Sequence, residues 1–189
     1  MGRRSRRGGL LVGLGVGLLV LCLAGALCPF GVLVVQGDSM EPALHGGAVY
    51  VMDRRALRIE APQRGDVVVF ETNGSRYVKR VAGTAGETVT LLRRRDEGEV
   101  ELEVIRGAEN VRRVRRLVSS GRWSTWMQVV EMRVPPGTCY VIGDNAGCSV
   151  DSRTLGPIPL DSIRGRVMIA REPYDAPRLA AVPSTSLHQ

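Results

Sequence analysis

The stretch Val67-Val68-Val69-Phe70-Glu71-Thr72-Asn73-Gly74-Ser75-Arg76-Tyr77-Val78-Lys79-Arg80-Val81 decides the fold. Its first four residues form a continuous apolar run with the β-branched character of a buried strand. Asn73-Gly74 is a strong hairpin signal, because the favoured two-residue turn needs positive φ at both positions. On the second strand Tyr77, Lys79 and Val81 share one face, while Arg76, Val78 and Arg80 share the other. The chain has 26 Lys plus Arg, and Lys79 is its only lysine. An arginine stays protonated inside a protein, whereas a buried lysine can lose its proton and act as a base. Arg80 points away from Lys79, and Tyr77, Val78 and Val81 supply the desolvation that would make the amine neutral.

Toward the N-terminus lies Gly37-Asp38-Ser39-Met40-Glu41-Pro42. A serine hydroxyl is a weak nucleophile until a neighbouring base takes its proton. The chain has only two histidines, His45 beside this stretch and His188 near the C-terminus, and neither is placed for a Ser-His pair. Ser39 and Lys79 are therefore the candidate nucleophile and base.

Ser39 follows a long apolar segment. No charged residue occurs from Gly8 to Gln36, with Arg3, Arg4, Arg6 and Arg7 before it and Asp38 and Glu41 after it. As a helix, residues 8–35 would reach roughly 40 Å, enough to span a bilayer with tilt. The positive-inside rule puts the N-terminus in the cytoplasm and the rest of the chain outside. Pro29 either kinks this helix or marks its end. A cleavable signal peptide ending at Ala24-Gly25-Ala26 is the alternative, and the continuation of the apolar run to Val35 argues against it.

The formal net charge of +7 includes the four arginines of the membrane flank. With aromatic residues at 4%, there is no stacking platform for nucleic acid. The arginines of 93–95 and 112–116 alternate with acidic and apolar residues. They read as solvated faces of antiparallel hairpins running to Val134, or as contacts for anionic lipid head groups. Trp123 and Trp126 pack there or anchor at a lipid interface. Further strands are expected at 48–52, 87–92, 139–142, 156–158 and 163–170. Cys139 and Cys148 lie outside the membrane, where a disulfide would be permitted. No His/Cys cluster has metal-ligand spacing, and neither metal nor cofactor is expected.

Four stretches in order resemble the bacterial type I signal peptidases, membrane-bound Ser/Lys endopeptidases that remove signal peptides from exported preproteins. They are Gly37-Asp38-Ser39-Met40-Glu41-Pro42-Ala43-Leu44; Arg64 to Phe70; Tyr77 to Gly83 with Gly86-Glu87; and Gly143-Asp144-Asn145 with Ser149, Asp151-Ser152-Arg153, Gly156 and Ile158. The resemblance implies a mainly β catalytic domain behind one N-terminal transmembrane helix, on the outer side of the cytoplasmic membrane. On that reading 1–7 is a basic tail, 8–35 the anchor, 36–171 the peptidase domain with a variable β insertion at 88–135, and 172–189 a flexible tail.

By the same resemblance Ser39 is the nucleophile, Lys79 the base, and Ser149 orients the Lys79 amine. Asp151 with Arg153 holds the loop that carries Asp144 and Asn145. Val35, Met40, Leu44, Tyr77 and Val78 line a pocket for small side chains, which selects Ala-x-Ala junctions. The Ser39 N–H is one oxyanion donor. Gly37 stands where part of the family has a second, serine donor, and Ala43 where Thr is usual. The implied partners are preproteins bearing signal peptides and membrane lipids, with no nucleic acid. A related peptidase of conjugative transfer or pilin maturation is the nearest alternative, and an inactive membrane-bound scaffold is another. Loss of Ser39 or Lys79 would mark the latter, and both are present.

Overall fold

The computed structural model describes residues 28–96, 99–121 and 127–169. The basic tail 1–7, most of the expected anchor, Trp123, Trp126 and the tail 172–189 lie outside the described residues. Within them the chain is mainly β. The strands are β1 (Phe30–Val34), β2 (Val49–Asp53), β3 (Val67–Thr72), β4 (Ser75–Thr84), β5 (Thr88–Asp96), β6 (Glu99–Val104), β7 (Met127–Arg133), β8 (Thr138–Ile142), β9 (Ile158–Pro159) and β10 (Ile163–Val167). They form a seven-stranded antiparallel sheet in the order β1-β2-β10-β3-β4-β8-β9 and a three-stranded one in the order β6-β5-β7.

The apolar run at Val67 becomes β3, the middle strand of the larger sheet. Val67 and Val69 pack in one cluster with Leu33, Val35, Met40, Leu44 and Met52. Val68 and Phe70 pack in another with Val81, Cys139, Val141 and Ile158. A strand buried on both faces has no reason to alternate apolar with polar residues, which is why the run is continuous. Each fully buried valine or phenylalanine contributes about 1.5–3 kcal/mol of hydrophobic stabilisation. Asn73 and Gly74 turn the chain at φ 50° and 73°, and β4 returns with Lys79 opposite Val68 and Arg80 opposite Val67. On its other edge β4 pairs with β8, with a register shift between Val81 and Gly83.

Two expectations are corrected. The helix expected over 8–35 does not reach Val35: Phe30–Val34 is β1, an edge strand paired with β2. Pro29 marks a boundary, its carbonyl accepting from the Arg54 N–H at 2.7 Å. The β-branched residues Val32 and Val34 suit a strand better than a helix. The insertion, in turn, is not all hairpins. After the β5–β6 hairpin comes a helix, α2 (Ala108–Ser119), which follows the short α1 (Ala56–Ile59) and precedes α3 (Ser152–Leu155).

The α2 helix forms because Val111, Val114 and Val118 recur at helical spacing and pack on Leu92, Ile105, Met127 and Val129. Glu109 in its first turn and Arg116 in its last complement the helix dipole. Among the described residues no helix is long and apolar enough to cross a membrane.

Candidate active site

Ser39 lies in the turn that joins β1 to β2. Its flanks are fixed by burial, since Met40 and Leu44 are fully enclosed in the core and the Leu44 N–H donates to the Met40 carbonyl at 2.9 Å. The Ser39 carbonyl accepts from the Asn145 N–H at 3.1 Å, so the Ser39 loop is stitched to the loop after β8. Lys79 comes from β4, is 3% exposed, and donates from Nζ to Ser39 Oγ at 2.6 Å. The hairpin with Asn73-Gly74 at its tip thus delivers a side chain forty residues away in sequence.

Electrostatics favour the uncharged form of that amine relative to a solvated lysine. Burial lowers the Lys79 pKa and is the largest influence on it. Asp151 opposes this, Arg153 assists it, and Asp144 opposes it more weakly. Each carboxylate carries its own cation. Asp144 receives Arg80 Nε and NH2 at 2.9 and 2.6 Å, both side chains being almost wholly buried. Arg80 NH1 donates to the Gly65 carbonyl at 2.9 Å, and Arg106 NH2 lies 3.7 Å from Asp144. Arg80, directed away from Lys79 by strand alternation, thus finds its counter-ion elsewhere.

Asp151 organises the loop after β8. It caps α3 by accepting from the Arg153 N–H at 3.1 Å, and it accepts from Arg153 Nε and NH2 at 2.9 and 2.8 Å. The Gly143 N–H at 2.9 Å and the Ser149 hydroxyl at 2.8 Å complete the set. Burial works to raise the Asp151 pKa, but the hydrogen bonds from Arg153, Gly143 and Ser149 outweigh it and hold the carboxyl below its ordinary value. Ser149 therefore differs from the expectation: its hydroxyl is given to Asp151, and the hydrogen bond of the Lys79 amine goes to Ser39. Gly143 is required here by space, since a Cβ would sit 2.2 Å from Ser149 Oγ and 2.6 Å from the Ser39 carbonyl oxygen.

A cleft of about 520 Å³ opens beside the pair. Val35, Met40, Tyr77 and Val78, expected as pocket residues, line it together with Ser39, Lys79 and the β1 residues Val32 and Val34. Leu44 does not reach the cleft; it is a core residue behind Met40. Cys148 is at the cleft wall and exposed, Cys139 is buried, and both are free thiols, so the permitted disulfide is not formed. Burial pushes the Cys139 thiol up to about 12. Two contributors went unread in the sequence. Leu102 accepts from Arg153 through its backbone carbonyl, and Arg106 reaches Asp144 from the insertion. Neither belongs to a motif, and no local spacing marks either.

A serine hydroxyl 2.6 Å from a buried lysine amine beside an open cleft is an arrangement that can support nucleophilic catalysis by a serine hydrolase. The comparisons with known proteins name the family. The model of the family described as signal peptidase, peptidase S26, matches residues 10–171, and the chain belongs to that family. It is 29% identical over 154 residues to the signal peptidase I of Bacillus caldolyticus, covering 77% of this chain and 81% of that protein. It is 31% identical over 149 residues to signal peptidase I T of Bacillus subtilis, covering 77% and 75%. A solved signal peptidase I from Enterococcus faecalis is 30% identical, with 57% of this chain and 97% of that chain covered and a TM-score of 0.35.

Proposed function

We propose that the chain is a membrane-held serine endopeptidase that removes N-terminal signal peptides from exported preproteins, cutting after small residues of Ala-x-Ala type. The observation that carries this is the 2.6 Å approach of a buried Lys79 Nζ to Ser39 Oγ, in a chain of the signal peptidase family.

In this reading the neutral Lys79 amine takes the Ser39 proton as Oγ attacks the carbonyl of the residue before the cut. The Ser39 N–H helps to hold the developing oxyanion. The protonated amine then gives its proton to the departing nitrogen, and water resolves the acyl-enzyme by the same route. Asp151 and Arg153 keep the loop of Gly143 and Asn145 in register with Ser39. Met40, Tyr77, Val78 and Val35 leave space suited to a small side chain.

The apolar segment ahead of β1 serves as the membrane anchor in this account. Phe30, Val32 and Val34 on β1 and Val49 and Val51 on β2 are exposed apolar residues. Val32 pairs with Val51 and Val34 with Val49, so they share one face of the sheet edge. A patch of this kind next to an anchor suits contact with lipid, and it would hold the cleft at the membrane surface on the outer side.

The test is cleavage of a reconstituted preprotein with an Ala-x-Ala junction by the full-length chain and by Ser39→Ala. Wild type should cut once, after the final Ala, and Ser39→Ala should lose at least about 10⁴-fold in rate. Binding of the preprotein without cleavage by wild type would instead favour an inactive scaffold.

A further inference from the structure

The loop after β8 is held from two sides, and only one of them is the larger sheet. Asp144 is the junction. Its wholly buried carboxylate accepts from Arg80, the residue next to Lys79 on β4, at 2.6 Å. The residue after it, Asn145, holds the Ser39 carbonyl through its N–H at 3.1 Å. Asp144 therefore stands between the strand that carries Lys79 and the loop that carries Ser39. A second cation reaches the same carboxylate from outside the sheet, since the Arg106 guanidinium lies 3.7 Å from it with its side chain 10% exposed. We propose that Arg106 is a positioning residue for the cleavage reaction, through which the insertion sets Asp144 and with it the alignment of Ser39 to Lys79. The proposal rests on the endopeptidase reading given above and gives a part in it to a residue outside the four motif stretches.

Three features separate Arg106 from the arginines that follow it. The first is burial. Arg112, Arg113, Arg115 and Arg116 on α2 are exposed, where a charge pair contributes little. Arg106 is nearly enclosed, and a guanidinium taken out of water has to be matched by a counter-charge. The second is a fixed backbone. Ile105 is buried against Leu92 and Val114, and its N–H donates to the Thr90 carbonyl at 2.9 Å. The Arg106 carbonyl accepts from Asn110 Nδ2 at 2.9 Å. The guanidinium is thus offered from a segment tied to both β5 and α2. The third is the way the carboxylate is shared. Arg80 makes its shortest contact with Asp144 Oδ2, whereas Arg106 lies beside Oδ1. With a cation at each oxygen, the carboxylate has one orientation. Any change in it passes to Asn145 and so to the Ser39 carbonyl. Reacting groups have to be held to within about 0.5 Å, so a small loosening at Asp144 is felt at Ser39 Oγ. The Leu102 carbonyl, which accepts from Arg153 at 3.4 Å, is a second tie between the insertion and the same loop.

The experiment is steady-state cleavage of an Ala-x-Ala peptide by the full-length chain in detergent micelles, for wild type, Arg106→Gln, Arg106→Met and Arg106→Lys. The Gln variant removes the charge and stays polar, and the Met variant removes it and stays long, so either stands in where the other does not fold. In both, kcat should fall about tenfold with KM within about twofold of wild type, because alignment is lost and ground-state binding is not. Arg106→Lys should recover kcat to within about threefold of wild type, since a point charge suffices for an ion pair of this length. Arg115→Ala, in the same insertion, should cut like wild type. A wild-type kcat in the Gln and Met variants overturns the proposal. So does a loss confined to KM, which would make Arg106 a substrate contact. An equal loss in the Lys variant, or a comparable one in Arg115→Ala, also overturns it, because the charge at Asp144 would then not be what acts. Failure of wild type itself to cut removes the endopeptidase reading and this proposal together, whereas cleavage by wild type with unaffected variants removes this proposal alone.

Discussion

Two arginine pairs, one in the larger sheet and one in the smaller unit, sit in opposite surroundings. In the seven-stranded sheet Arg80 is 1% exposed and locked onto a wholly buried Asp144. In the smaller unit Arg115 of α2 meets Glu131 of β7 with both side chains about half exposed. The first pair has lost its water and must be matched by geometry, whereas the second remains solvated and is weak. The Arg80 pair therefore uses charge to fix the position of the loop after β8, whereas the Arg115 pair keeps its charges in water. The two regimes meet where Arg106 and the Leu102 carbonyl touch the catalytic loop.

The largest expected effect tests that contrast directly. Arg80→Ala strands a buried carboxylate and should destabilise the fold by about 3–5 kcal/mol, whereas Arg115→Ala should cost less than about 1 kcal/mol. Urea unfolding of the two variants measures both. Similar losses would erase the distinction between the regions.

A second effect separates the site from the fold around it. In Gly143→Ala a methyl group is forced onto Ser149 Oγ and the Ser39 carbonyl, displacing the nucleophile loop. The rate of cleavage should fall by about 10²-fold, since a displacement of this scale is enough to misalign reacting groups. Cleavage at the wild-type rate would show that the loop has slack.

Smaller differences are expected within the cores. Val69→Ala, in the middle of the larger sheet, should cost about 2 kcal/mol and Val114→Ala, on α2, about 1 kcal/mol, because the site nearer the surface can relax or admit water. The difference in melting temperature between the two variants checks the ranking. A greater loss at Val114 would mean that the small unit, not the large sheet, holds the fold together.

How much of this was legible in the sequence differs between the same two regions. Around β3 and β4 the local signals agree: a continuous β-branched run, Asn-Gly at the turn, and alternation afterwards. Lys79 stood out by its uniqueness, and the four motif stretches fell on the elements that converge at Ser39. In the insertion the local signals conflict. Alternating charge in β5 and β6 was extended in reading across 108–119, although Val111, Val114 and Val118 carry the helical period. The abundance of arginine hid it, since arginine suits a solvated helix as well as a solvated strand. At β1 the cause was different. An apolar strand that follows an apolar segment shows no change in hydropathy, and only Pro29 and the valines after it mark the boundary. The contacts of Arg106, Leu102 and Ser149 are long-range or depend on a hydroxyl's choice of partner, and local pattern does not encode them.

The most direct measurement is the pH dependence of kcat/KM for an Ala-x-Ala preprotein, run beside Lys79→Arg. Burial favours the uncharged amine, so the folded chain holds Lys79 below the 10.5 of a solvated lysine. With Lys79 as the proposed base, only the fraction with a neutral amine is active, and activity should rise with pH along a limb whose midpoint lies below that value. Lys79→Arg, which cannot give up its proton, should show no activity at any pH. A limb at or above 10.5, or cleavage by Lys79→Arg, would contradict the account and require a different base for Ser39.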